Sequence, residues 1–239
     1  MLTVSRYCLS ALFFILMAAG CRAEDVRADE NVTARYLAPV IAIEYPPFTT
    51  QDLEGDGVSL DVLRGLLADK GWAFEVDFLP PVRAALDVAA PGNWLLSFFP
   101  PREGYPHIQK VILKDADILF GIFRHRKPEP FSWQSLDELR GHTLVTTRTL
   151  SNSPVLQPFV NAGLKLVLVN TLDQGVQMMV ADRADYVLTT RETGYYYAHK
   201  LGVEESELQF GETIIEHFPH VVYVNVTHPL AQQVLHDLQ

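Results

Sequence analysis

The chain has 239 residues, 48% hydrophobic and 20% charged, an ordinary globular composition with enough apolar material for one large core or two smaller ones. Its formal net charge is −10 and no run of Lys/Arg suggests a nucleic-acid face, since the overall field repels phosphate. The motifs of the common hydrolases, phosphate loops and zinc peptidases are absent, so nothing at a defined spacing points to a paired acid and base.

Residues 1–20 read as a signal peptide. Arg6 supplies a positive n-region, and Leu9 to Ala19 forms an apolar h-region too short to span a bilayer comfortably. Ala18-Ala19-Gly20 before Cys21 resembles a bacterial lipoprotein signal, which implies lipidation of Cys21 and a membrane anchor; plain secretion with cleavage near Ala23 is the alternative. The expected location is the periplasm, lipid-anchored through Cys21, or secreted periplasmic without that lipid. Cys8 lies in the signal, leaving Cys21 alone in the processed chain, so no intramolecular disulfide is expected. Residues 21–39 are polar and aperiodic, a tether.

The folded part is expected from residue 40. Val40 to Ile43 reads as a strand ended by Pro46-Pro47, and Ser59 to Lys70 as a helix with the stripe Val62, Leu63, Leu66, Leu67 and Gly71 past its end. Ala73 to Leu79 alternates as a strand. Pro81 opens a second helix with Val82, Ala85, Leu86 and Ala89 inward, and Trp94 to Phe99 is a third strand. Ile118 to Phe123 is the next strand, followed by the basic segment Arg124-His-Arg-Lys-Pro-Glu-Pro130. Ser135 to Glu138 is a capping box. A second series follows: strands at His142 to Thr147, Lys165 to Asn170 and Asp185 to Thr189, with helices opened by Ser153-Pro154, by a capping box at Thr171 to Gln174, and at Glu192. Val221 to Val226 and Leu230 to Leu238 close the chain as a strand and a short helix. Strand-helix alternation twice over implies an α/β fold of two small lobes, each a mostly parallel sheet with flanking helices. Ligands in such folds sit in the cleft at the carboxyl ends of the strands.

This layout resembles the family 3 extracellular solute-binding proteins, the periplasmic receptors of ABC importers for polar amino acids and similar solutes. The resemblance rests on Tyr45-Pro-Pro-Phe48 after the first strand, Gly57 to Asp61 opening the first helix, and Pro100-Pro101-Arg102-Glu103 where that family has Thr-Pro-Glu-Arg. It also rests on Leu136 to Gly141 and on Gly175 to Asp185 with its following apolar strand. It implies a two-lobed periplasmic-binding-protein-like fold of type 2. Lobe one would comprise residues 40–114 plus 216–239 and lobe two residues 115–215, crossing near Val111 to Asp117 and near Phe210 to Phe218.

The same resemblance gives Arg102 the role of gripping a ligand carboxylate, for which a planar two-pronged donor is suited. Tyr45 and Phe48 would wall the lobe-one side, with Ser97 and Phe99 at the third strand end. Opposite them, Arg148, Thr149 and Ser151 precede a helix start and form a candidate anion cradle. Thr190 stands where the family often carries an aspartate for the ligand's amino group, and Arg191 is next to it. An α-amino acid would lose its cation partner there, so the expected solute is a small polar anion, an organic acid or an amino-acid-like molecule. His217-Phe-Pro-His220 offers no fixed ligand face, and neither metal nor cofactor is expected. The expected partners are the small-molecule ligand and an inner-membrane ABC permease or sensor, with the protein a monomer that touches the membrane through its lipid only. Two other classes stay open: a dehydratase-like enzyme on the same fold acting on a small organic acid, and a ligand-independent accessory lipoprotein.

Overall fold

The computed structural model describes residues 35–102, 104–148 and 154–239, with the backbone but not the side chains of 114–117. The signal, Cys21, Thr149 and Ser151 lie outside the described residues. Residues Thr33–Gln239 form one compact unit.

Nine strands share one sheet: β1 (Tyr36–Ala42), β2 (Trp72–Phe78), β3 (Leu96–Ser97), β4 (Ile108–His125), β5 (Thr143–Thr147), β6 (Lys165–Val169), β7 (Tyr186–Thr190), β8 (Leu208–Phe210) and β9 (Glu216–Asn225). Their order is β2-β1-β3-β9-β4-β7-β5-β6, with β8 also pairing β4. At one end β1, β2 and β3 run parallel; at the other β5, β6 and β7 do. Between them the long β4 and β9 pair antiparallel and run through both ends. Their register shifts between Ile112 and Ile118, opposite Phe218 to Val221, where β4 uses more residues than its partner. Such irregularity loosens a ladder and lets it bend. The two ends are therefore two α/β lobes joined by two strands.

Lobe one is built on α1 (Val58–Leu67), α2 (Pro81–Val88) and α6 (Ala231–Asp237). Leu60, Leu63 and Leu67 recur at helical spacing and are fully buried with Val40, Val222, Val224 and Val234. Each such leucine contributes roughly 2 kcal/mol. The next residue along β1, Ile41, points to the opposite face and meets Ala84, Val88 and Trp94. That face corrects the expected orientation of α2. Val82 is 75% and Leu86 64% exposed, and Ala84 and Val88 point inward instead. Both faces of that helix are apolar in sequence, and the small Ala84 allows the close approach to β1 that a bulkier residue would block.

Lobe two carries α3 (Gln157–Asn161), α4 (Leu172–Val180) and α5 (Arg191–Lys200). Adjacent β4 residues again serve opposite cores: Ile122 packs with Leu144, Phe159 and Leu188, and Phe123 with Val176, Met179, Val187 and Ala198. Asp185 ties β7 to the start of β5. Its Oδ2 accepts from the Thr143 backbone N–H at 2.7 Å, and His142 lies 3.3 Å from its other oxygen. Burial raises its pKa, but these partners outweigh that and leave it below the usual carboxylate value.

Other elements differ from expectation for identifiable reasons. The first strand begins at Tyr36 because Tyr36 to Pro39 pair in register with Trp72 to Glu75, and the last begins at Glu216 and β4 at Ile108 because their pairing carries polar residues that no alternation marks. The third strand shrinks to Leu96–Ser97 because Ser97 Oγ bonds both the N–H and the carbonyl of Phe99 and curls the chain out of the sheet. The Ser135 capping box forms, but it opens only a short 3₁₀ turn, Leu136–Leu139. Thr171 makes no side-chain cap; Gln174 instead accepts from the Asn170 N–H at 3.2 Å.

Candidate functional site

The loop after β1 is folded on itself. Tyr45 N–H donates to Thr49 O at 2.7 Å, Thr49 N–H returns to Tyr45 O, and Thr49 Oγ1 donates to Ile43 O at 2.7 Å. The Pro46–Pro47 peptide is cis. Gly57 locks this loop onto α1: its φ is +99°, and a Cβ there would lie 2.6–2.9 Å from the carbonyls of Pro47 and Phe48, so only glycine fits. Arg64 from α1 holds the far end through Asp56 at 2.7 Å. The loop is thus a rigid mount, and what it presents is Tyr45.

Tyr45 stacks on Phe48 with ring centroids 5.9 Å apart, and Phe48 meets the His220 ring edge-on at 5.6 Å. His220 lies where β9 passes between the lobes and is 3.4 Å from Ser59 Oγ. The Tyr45 phenol crosses the cleft into lobe two, where its hydroxyl meets the side-chain hydroxyls of Thr190, Thr189 and Thr193. Burial pushes the phenol's pKa up, the threonines offset part of that, and the Glu192 carboxylate adds to it. The phenol therefore stays protonated and acts as a donor. Thr190 caps α5: its Oγ1 accepts from Thr193 N–H and donates to Thr193 Oγ1 at 2.8 Å. The contact to Thr189 is looser. Thr189 Oγ1 is buried and has no partner at ordinary hydrogen-bond distance among the described residues, a deficit of about 1–3 kcal/mol. Glu192 Oε2 is likewise buried and unpartnered, while its other oxygen takes Arg191 at 3.2 Å.

A second set of contacts joins the lobes nearer solvent. Lys200 Nζ, at the end of α5, donates to Asp52 Oδ2 at 2.6 Å, and Tyr196 OH reaches the same oxygen at 3.4 Å. Lys200 holds Asp52 below its ordinary pKa, and Asp52 raises that of Lys200. Both groups are exposed, so water and salt screen the pair.

Between the two sets lies a cavity of about 490 Å³. Lobe one contributes Glu44, Thr50 and Asp52; lobe two contributes Asp173, Gln177, Tyr197 and Lys200. Glu44 accepts hydrogen bonds from Gln51, and neither Glu44 nor Asp173 has an ion pair among the described residues. Tyr197 is pushed well above the usual phenol range, first by burial and then by Asp173. The charged groups of its lining are the carboxylates Glu44, Asp52 and Asp173 and one lysine already engaged by Asp52, with Pro46, Thr50, Gln177, Tyr197 and Leu201 between them.

The structure brings Tyr45, Phe48 and Thr190 together at the cleft. Ser97 is fully buried in its own turn, and Phe99 packs against the lobe-one core beside Ile41 and Trp94. Arg102 is exposed and makes no ion pair among the described residues. Arg148 is exposed and bonds Asn170 at 3.1 Å, and Arg191 pairs with its neighbour Glu192. Asp52, Asp173 and Lys200 carried no signal in the sequence beyond their charge. The tyrosine triple did carry one: it splits between the core for Tyr195, which meets Phe123 edge-on at 5.0 Å, the rim for Tyr196 and the cavity for Tyr197.

The chain matches no described protein family and no curated protein in sequence. Solved structures do share its fold. The GluR0 ligand-binding core from Nostoc punctiforme, in complex with L-glutamate, superposes with a TM-score of 0.63 at 16% identity, covering 84% of this chain and 91% of that one. An ancestral arginine-binding protein bound to arginine gives 0.62 at 17%, covering 86% and 92%. The periplasmic VFT2 domain of Bordetella pertussis BvgS gives 0.56 at 18%, covering 84% and 86%. The fold is the two-lobed, periplasmic-binding-protein-like α/β class. Among the described residues no helix is long and apolar enough to cross a membrane.

Proposed function

We propose that this chain is a non-enzymatic solute-binding protein that holds a small polar solute between its lobes. The observation that carries the reading is the interlobe cavity with carboxylates Glu44 and Asp173 on opposite walls. Two carboxylates that face one cavity without an ion pair among the described residues attract a cation and repel an anion. The arginines behind the expectation of an anion stand on the surface or are already partnered. The solute is therefore a small molecule that presents an ammonium or guanidinium group, and the arginine held by one of the structural neighbours is of that class. Delivery to an ABC permease or a sensor, anchoring through a lipid on Cys21, a periplasmic location and the lobe limits at residues 114 and 216 belong to the same proposal.

Isothermal titration calorimetry tests it, with arginine, ornithine and putrescine set against glutarate, succinate and citrate. Saturable binding from the first group, weakened about ten-fold or more by Asp173→Asn, is the expected result, since a charge-assisted hydrogen bond contributes about 1.5–3 kcal/mol. Saturable binding from the second group alone overturns the choice of charge. Turnover of a bound compound, followed by mass spectrometry, overturns the non-enzymatic reading.

A further inference from the structure

A binding cleft between two lobes ordinarily closes because a ligand supplies the contacts that closure needs. Here the chain supplies them itself. Tyr45 leaves lobe one, stacked on Phe48, and places its hydroxyl among three threonines of lobe two. Thr190 and Thr193 are 2% and 0% exposed, and Thr189 is 1% exposed, so these hydroxyls lie at the bottom of the cleft and away from its rim. Each of them needs a polar partner once water is excluded. Thr190 and Thr193 satisfy much of that need between themselves, and the phenol is the group from the other lobe that reaches them.

The residue type at position 190 matters to this arrangement. A threonine can cap α5 and accept from a neutral phenol without burying a charge. A carboxylate in that place would sit uncompensated at the cleft bottom next to the Glu192 carboxylate, which is costly. Tyr45 and Thr190 are complementary, and neither requires a solute between them. The outer contacts act in the same sense, because Asp52 with Lys200 and Tyr196 spans the lobes from the solvent side.

We propose that Tyr45 is a built-in occupant of the inner cleft, and that the lobes rest closed upon it with no solute present. Opening, not closing, is then the event that a partner must drive, because a bound molecule shifts the equilibrium only through its different affinity for the two forms, and a solute that touches both lobes adds to closure. The inner cleft is already filled, so a solute would enter the outer cavity between Glu44 and Asp173. The resting closure itself does not depend on the identity of any solute.

The test measures the distance between the lobes in the full chain. Val82 in lobe one and Val160 in lobe two are 75% and 50% exposed, and each is replaced by cysteine and spin-labelled, with Cys8 and Cys21 changed to serine. Pulsed electron resonance is recorded with no solute added, after unfolding, dialysis and refolding to strip any carried-over molecule. A single short distance population in the otherwise unaltered chain is expected. Tyr45→Phe, which removes only the hydroxyl, lowers the closed-to-open ratio about five-fold, the worth of one ordinary hydrogen bond. Tyr45→Ala together with Asp52→Ala gives a predominantly long distance while circular dichroism reports an unchanged fold. A long distance in the stripped, otherwise unaltered chain overturns resting closure. A short distance that persists in the double variant overturns the role of Tyr45. Because no solute is added, failure here leaves the calorimetric result untouched, and a chain that binds no amine can still pass.

Discussion

Gly194 is where the packing of α5, and with it both closing contacts, can be challenged by one methyl group. A Cβ built on Gly194 would lie 2.1 Å from Phe123 Cε2, 2.5 Å from Cζ and 2.7 Å from Cδ2. The ring cannot step aside cheaply: Phe123 is 1% exposed and held by Tyr195 at 5.0 Å and Phe210 at 4.9 Å between ring centroids. Two effects oppose each other in Gly194→Ala. Helix propensity favours alanine by about 1 kcal/mol. Overpacking costs about 1–3 kcal/mol, and an approach this short belongs at the upper end. The net expectation is a loss of about 2 kcal/mol, which for a domain of this size lowers Tm by about 4–8 °C. Differential scanning calorimetry reads that shift directly. Trimming the ring in Gly194→Ala/Phe123→Leu should recover part of the loss relative to Phe123→Leu alone, as a coupling energy between residues in contact. An unchanged or higher Tm for Gly194→Ala, or no coupling with Phe123, refutes the reasoning, because the close approach of α5 to β4 would then not be what holds the helix.

Three further expectations follow from buried polar groups. Arg124 is 8% exposed, bonds Gln209 at 3.0 Å and the Glu129 carbonyl at 3.0 Å, and lies 4.3 Å from the centre of the Phe131 ring; Arg124→Ala should cost about 3–5 kcal/mol in urea unfolding and free the segment up to Pro130 to proteolysis. Asn225 is fully buried, donates to the carbonyls of Gly92 and Trp94 and accepts from Thr227, so Asn225→Ala should cost about 2–3 kcal/mol by the same measurement, leaving two carbonyls without their donor. His228 Nδ1 accepts from the Leu230 N–H at 3.2 Å, and burial lowers its pKa below the ordinary value of 6.5. A histidine with a lowered folded pKa binds fewer protons folded than unfolded, so its contribution is present above about pH 6.5 and is lost as the pH falls below that. The stability difference between pH 7.5 and pH 5.5 should therefore shrink in His228→Ala; an unchanged difference removes His228 from the account.

How far the sequence carries depends on whether a signal is local. The two β-α-β-α-β series were legible because a proline or glycine break and a period of two or 3.6 are properties of neighbouring residues. The joining strands were not. The first half of β4 carries Gln109, Lys110 and Lys114, whose polarity hides a strand that exists because β9, a hundred residues later, pairs with it. The face of α2 was not legible either, since Val82, Ala84, Leu86 and Val88 are all apolar and only the position of Ile41 and Trp94 selects Ala84 and Val88. At the candidate site, strand ends pointed to Tyr45 and Thr190. Exposure is the quantity that sequence leaves unmarked, and Arg102 proves to be exposed and without an ion pair among the described residues.

The Asp52–Lys200 pair shows the same limit from the other side. Each residue alone reads as a solvated charge, one in a loop and one in the last turn of a helix, and such charges are usually just that. Only the fold, which brings residues 148 positions apart to 2.6 Å, turns them into a link between lobes. Tyr45 and Thr190 make the deeper link, and the two links differ in kind. The outer pair is charged and exposed and is weakened by salt, whereas the inner contact joins uncharged hydroxyls, those of lobe two buried, and is not. Salt weakens the outer contribution, and Asp52→Ala removes it outright and leaves the inner one. If closure in the stripped chain persists in Asp52→Ala, the weight lies on Tyr45. If the lobes part, it lies on Asp52 and Lys200, and Tyr45 follows the closure instead of causing it.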